Sequence, residues 1–310
     1  MNEFESFLCN EPLRPELAEN IWFLIETKGS ITKEALYERY GRKDTQKDVD
    51  YALRLLHLLK IIEPTKRGFV IINIPDDINK IIKFSPHGRF RLLVLNRLRI
   101  MSGDSSSYNQ QAHVLLTYRI LSEQEIGMLR TDETATINLI NREWGKNKYL
   151  PQSAQGQITL NELKFGYWKE LAVFLGLVYP GPRLKQFMVS ISPQLSRDMA
   201  LLFLMTSDQI AKRNEAPIKD FVDFLQDRFL YVEIITKGTF PNFNKVIEGM
   251  LLSLENLGIF TLIKEGDSPI YELPMRRSTG MISTKVNNLR INPNAIRGEE
   301  YNDLPTLSSS

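Results

Sequence analysis

The stretch LHLLKIIEPTKRGFVIIN, Leu56 to Asn73, closes one helical pattern and opens two short apolar runs around a polar turn. Upstream, Val49, Ala52, Leu53, Leu56 and Leu59 recur at three- and four-residue spacings, which puts them on one face of a helix from about Thr45 to Lys60. The opposite face bears Lys47, Asp50, Tyr51 and Arg54. KIIE and FVIIN are β-branched runs, and PTKRG between them offers Pro64 and Gly68 for a turn, so the pair reads as a hairpin. Two helices come first. One starts at Pro15, where a proline costs no hydrogen bond, buries Leu17, Ile21, Leu24 and Ile25, and exits at Gly29. The other, TKEALYERYG, runs from Thr32 to a stop at Gly41.

The same ending recurs as LAVFLGLVYPGPRLKQFMVSI from Leu171 and LLSLENLGIFTLIKEGDSPIYEL from Leu251. Aligning Lys60, Gly176 and Gly258 places Leu59, Leu175 and Leu257 just before each turn, with Leu56, Ala172 and Leu254 one helical turn earlier. The third copy has helical patterns upstream in LSRDMALLFLM, PIKDFVDFLQDRFL and NKVIEGMLLSLENLG. The middle copy is less regular. LNELKFGYWKELAVFLG contains Gly166, and long polar links separate the helices RFRLLVLNRLRIM and ETATINLINREW before it. It reads as a degenerate copy or a helical connector. Unequal separations between the copies exclude a solenoid of fixed period.

The order helix, helix, helix, hairpin, carried by ITKEALYERY, VDYALRLLHLLKII and the hairpin, resembles the winged helix-turn-helix family over residues 15 to 74. The expected fold is mainly α with small β-hairpins: tandem winged-helix modules joined by a helical middle region. The expected units are an N-terminal winged helix (1–76), a helical middle region (77–192), a C-terminal winged helix (193–274) and a flexible tail (275–310). The tail has little to bury, and it turns from basic to acidic after Gly298.

A chain of 310 residues, 43% hydrophobic and 25% charged, can fill two or three ordinary cores. Its 39 basic and 37 acidic side chains nearly cancel, so any affinity for nucleic acid must be local. One cysteine, Cys9, a start without a cationic and apolar leader, and no apolar run of about 18 residues lead to the expectation of a cytoplasmic protein with no membrane partner. His57, His87, His113 and Cys9 are dispersed along the chain, and no phosphate-binding loop or dinucleotide fingerprint is present, so the expectation is no metal site, no cofactor and no enzyme. Asp76 with Asp77, and Glu233 with Lys237, are the carboxylates and lysine a metal-dependent nuclease would need, which makes that activity a distant third reading.

Cationic side chains carry the leading one. Lys47, Tyr51 and Arg54 on the third helix, with Lys66 and Arg67 on the wing, are where winged helices meet a major groove and its flanking backbone. The resemblance therefore implies double-stranded DNA as partner of the N-terminal module, in a transcriptional regulator or an adaptor subunit of a DNA-acting assembly; bacterial phage-defence complexes are among those that use such subunits. The third module, with Glu248 and Glu255 on its helix and Lys264, Glu265 and Asp267 on its wing, reads as a protein-binding or self-associating face. The rival reading is an interaction protein that binds no DNA. Arg89, Arg91, Arg97 and Arg99 spread around their helix and are expected to bind carbonyls or carboxylates internally, whereas Arg276, Arg277, Lys285, Arg290 and Arg297 of the tail are free to meet phosphate.

Overall fold

The computed structural model describes residues 8–41, 45–72, 74–80, 86–101, 112–124, 132–146, 152–153, 156–157, 159–183, 185–190, 195–206, 214–231, 234–235, 241–266, 269–274 and 285–292. The chain is mainly helical with small antiparallel hairpins. After a short turn at Leu8–Asn10, the first unit comprises α1 (Pro15–Lys28), α2 (Lys33–Tyr40), α3 (Gln46–Leu58), β1 (Ile62–Thr65) and β2 (Gly68–Ile71). Pro15 opens α1 as expected, and the Thr32 hydroxyl caps α2 by accepting from the Ala35 N–H at 3.3 Å. Gly68 has φ of +116°, and a Cβ there would sit 2.2 Å from the Ile31 carbonyl oxygen. Only glycine lets β2 approach closely enough for Ile31 and Phe69 to exchange hydrogen bonds of 3.2 and 2.8 Å.

The middle region holds α4 (Asp76–Lys80), α5 (Pro86–Ile100), α6 (Ala112–Ser122), α7 (Glu133–Lys146), the two-residue strands β3 (Gln152–Ser153) and β4 (Gly156–Gln157), α8 (Glu162–Phe174), β5 (Val178–Pro180) and β6 (Phe187–Val189). The helix α6 is an element not expected from the sequence, and its buried face is Val114, Leu115, Tyr118 and Leu121. With it the middle copy comprises three helices, α6, α7 and α8, followed by the β5–β6 hairpin. Its parts are tied by the Trp168 indole N–H donating to the Val114 carbonyl at 3.0 Å and the Tyr118 hydroxyl donating to the Ser190 carbonyl at 2.7 Å.

The third unit comprises α9 (Ser196–Thr206), β7 (Glu215–Pro217), α10 (Ile218–Arg228), β8 (Ile234–Ile235), β9 (Asn242–Phe243), α11 (Lys245–Asn256), β10 (Phe260–Ile263), β11 (Tyr271–Glu272), β12 (Lys285–Val286) and β13 (Asn288–Ile291). Here the structure corrects two expectations. The strand β10 pairs with β13 and not with the nearby β11, which joins β8, β9 and β12 in a separate four-stranded sheet. The expected flexible tail thus contributes a central strand: β13 lies between β10 and β7, with Leu289 and Ile291 buried. The reason is pairing, because β10 exposes a hydrogen-bonding edge that NLRI fills while turning two apolar side chains inward. The remaining residues of 275–310, apart from 285–292, lie outside the described residues.

Backbone geometry unites the three helix-to-hairpin junctions. Lys60, Gly176 and Gly258 all have left-handed φ, at +52°, +68° and +70°. Their N–H groups donate to His57, Val173 and Glu255, each at 2.9 Å. The next residues, Ile61, Leu177 and Ile259, donate to Leu56, Ala172 and Leu254 at 2.9, 2.8 and 2.9 Å. Those two bonds form a Schellman ending, which satisfies helix carbonyls that would otherwise lack a donor. The carbonyls of Ile61, Leu177 and Ile259 then accept from Ile72, Ser190 and Asn292 at 2.9, 3.0 and 3.1 Å, closing the root of each strand pair, β1 with β2, β5 with β6 and β10 with β13.

The units pack around α5. Phe90 on it contacts Trp22 of α1 and Phe174 of α8, with ring centroids 5.2 and 6.1 Å apart. The Asn96 amide donates to the Arg228 carbonyl of α10 at 3.1 Å. Most of α5 is buried, and two of its arginines bind internally as expected: Arg89, 2% exposed, lies over Trp22 and pairs with Glu26, while Arg99 donates to the Gln226 carbonyl; Arg91 lies over the Phe174 ring instead.

Candidate functional site

The first unit presents its chemistry on α3 and on the turn between β1 and β2. Lys47, in the first turn of α3, is exposed, as are Lys66 and Arg67 at the hairpin turn. None of the three makes an ion pair among the described residues. Lys66 and Arg67 are held out by a tight turn in which the Thr65 hydroxyl donates to the Gly68 carbonyl at 2.7 Å and accepts from the Arg67 N–H at 3.2 Å. Tyr51 is half-buried.

Arg54 is a correction. Its side chain is 10% exposed, with Nε 3.1 Å from the Glu11 carboxylate and Nη1 donating to the Leu8 carbonyl at 3.1 Å. Residues 8–14 return over this part of α3, covering a face that its own periodicity leaves open. Burial disfavours the charged guanidinium, and Glu11 partly offsets that. Arg54 is therefore an internal tie and leaves the set of solvent-facing cations.

The acidic side chains on the same helix are engaged too. Asp48 accepts from Arg14 Nε at 2.7 Å, and Arg14 also reaches Glu170 of α8 at 3.5 Å. Asp50 accepts from the Tyr37 hydroxyl at 2.6 Å and pairs with Lys33 at 2.7 Å. These contacts partly neutralise carboxylates that would repel phosphate.

The corresponding helices of the other copies pack against the rest of the chain, although the first turn of α8 stays exposed at Glu162 and Leu163. The helix α8 packs on α1 and on the Leu8–Asn10 turn. On α11 every residue from Val246 to Leu252 is buried, and Lys245 donates to the Glu123 and Gln124 carbonyls at 3.3 and 2.8 Å. Glu248, expected on an exposed face, is 4% exposed, and Glu255 turns back to accept from the Leu262 N–H at 3.1 Å. The exposed, near-neutral helix face expected of the third unit is thus absent there. Arg290, expected in a free arm, pairs with Glu215 and Glu265 at 2.7 and 2.6 Å.

Among the described residues, those considered for metal chemistry do not assemble. Asp77 is held by Arg228, one of the two contacts measuring 3.0 Å, and its carboxylate also accepts from the Ile78 N–H at 2.8 Å. His113 packs against Trp144, and His87 lies 3.3 Å from Glu19. Among the described residues no group of three or more His, Cys, Asp or Glu is placed to hold a metal ion, and Glu233 and Lys237 lie outside the described residues. A shallow cleft of about 110 Å³ beside α6 and α7 is lined by Arg119, Glu123, Glu143 and Trp144, with Arg119 and Glu123 paired at 3.0 Å. No helix among the described residues is long and apolar enough to cross a membrane. Comparison with known proteins finds no matching family model, no matching curated protein and no matching solved structure.

Proposed function

We propose that the chain is a non-enzymatic, DNA-associated protein of tandem winged-helix units, acting as a regulator or as an adaptor subunit in a DNA-acting assembly. The observation that carries the reading is the set of exposed cations, Lys47, Lys66 and Arg67, at the start of the third helix and on the wing of the first unit. Two supports stand beside it. The three copies share one junction geometry, and in the third unit β10, β13 and β7 form the three-stranded sheet that a winged helix builds from its wing and the strand between its first two helices. The helix α11 is packed against the rest of the chain and α8 opens on the exposed Glu162 and Leu163, so the first unit is the one whose exposed helix start carries a cation.

Anisotropy titration of the whole protein on a duplex of about 25 base pairs, roughly two and a half helical turns, tests the reading. If three cations meet phosphates, log K should fall against log salt with a slope near −2.7, from about −0.9 for each contact. Replacing Lys66 and Arg67 together by alanine should reduce that slope to about −0.9. Absence of binding at low salt, or an unchanged slope in the double variant, would transfer the first unit to protein contacts.

A further inference from the structure

The state of the side chains around Lys47 says what kind of DNA contact the first unit can make. Reading a base sequence from the major groove takes three or four side chains reaching base edges from one element. The usual readers are arginine or lysine on guanine, asparagine or glutamine on adenine, and a carboxylate on cytosine. On α3 the residues of those types other than Gln46 and Lys47 are already occupied. Arg54 is buried against Glu11 and the Leu8 carbonyl. Asp50 is held by Lys33 and Tyr37, and Asp48 by Arg14. What the helix start leaves exposed is Gln46 and Lys47, while the other two cations belong to the hairpin turn.

We infer that the first unit grips duplex DNA by its phosphate backbone, wing foremost, without discriminating base sequence. This rests on the proposed DNA reading and deepens it by naming the ligand as duplex of any sequence. An arginine freed from Glu11 would be the most effective base reader on α3, but withdrawing it would break its ion pair with Glu11 and its hydrogen bond to the Leu8 carbonyl. Specificity in an assembly would then have to come from another subunit, because phosphates carry no sequence information.

The test uses the full chain and three duplexes of equal length, one A·T-rich, one G·C-rich and one mixed, each titrated at several salt concentrations. Backbone contact predicts dissociation constants within about threefold of one another, equal salt slopes, and the same fractional loss on all three when Lys66 and Arg67 become alanine. A preference above about tenfold for one duplex, with binding to the others intact, would overturn this inference while leaving DNA binding standing, because a base-reading interface loses about that much or more per mismatched pair. No binding to any duplex would sink both together.

Discussion

Lys47 and Arg54 occupy one helix and carry the same charge, yet the fold uses them in opposite ways. Periodicity places both off the apolar stripe of α3, and that much was legible. What it could not show is that Leu8 and Glu11, more than forty residues earlier, fold back over Arg54. A pattern within one helix registers the face that helix buries, and remains silent about a face that a distant segment covers. The consequence is a crossed pair of substitutions. Arg54→Ala should destabilise the protein by about 1–3 kcal/mol, since it removes the hydrogen bond to the Leu8 carbonyl and a mostly buried stem, and should leave the salt slope of DNA binding unchanged. Lys47→Ala should stay within about 0.5 kcal/mol of the parent stability and make the slope shallower by about one unit. Urea unfolding and anisotropy on the same two preparations decide it; a slope change in Arg54→Ala with unaltered stability would restore Arg54 to the exposed face.

At the scale of elements, the junction between third helix and hairpin was the most readable part of the chain, because its requirements are local. A left-handed residue must follow the helix, an apolar residue must come next to start the strand, and glycine meets the first need at Gly176 and Gly258. Lys60 does the same job with a side chain attached, at φ of +52°. Left-handed backbone costs a non-glycine residue about 1–2 kcal/mol, while glycine pays part of that back in unfolded-state entropy. Lys60→Gly should therefore stabilise the fold by about 0.5–1 kcal/mol, and Gly176→Ala and Gly258→Ala should each cost about 1 kcal/mol. The three urea midpoints, at unchanged m, check the ordering. Loss of stability in Lys60→Gly would mean that the lysine contributes something at this corner that its exposure does not reveal. Less legible was the partner of β10, since the nearby YEL and the distant NLRI offer similar apolar pairs. Pairing with β7 on its other edge makes the distant strand the better choice, and that arrangement exists only in three dimensions.

Across the whole molecule, the units are joined by contacts that no local pattern encodes. The ion pair of Asp77 with Arg228 spans 151 positions, and it links the short helix after the first hairpin to the end of α10. In sequence Asp77 looked like half of a carboxylate pair; in the fold Arg228 claims it. Burial pushes the Asp77 carboxyl up, but the hydrogen bonds and charge of Arg228, helped by the Ile78 N–H, outweigh that and hold it below its ordinary value. A group with a lowered folded value stabilises the protein above its unfolded value, about 3.9 for aspartate, and loses that contribution as pH falls through the folded one. Glu19 and Glu170 shift the opposite way, chiefly through burial, so the acid curve of the parent protein mixes both signs. Comparison with Asp77→Asn separates them, because asparagine keeps the oxygen that accepts from Ile78 and removes the charge facing Arg228. The variant should be less stable than the parent at pH 7, and the gap in urea midpoint should close as pH falls below about 4, where the parent aspartate takes up its proton. A gap that stays constant from pH 7 to pH 3 would show that the pair does not couple the first hairpin's exit to the third unit through charge.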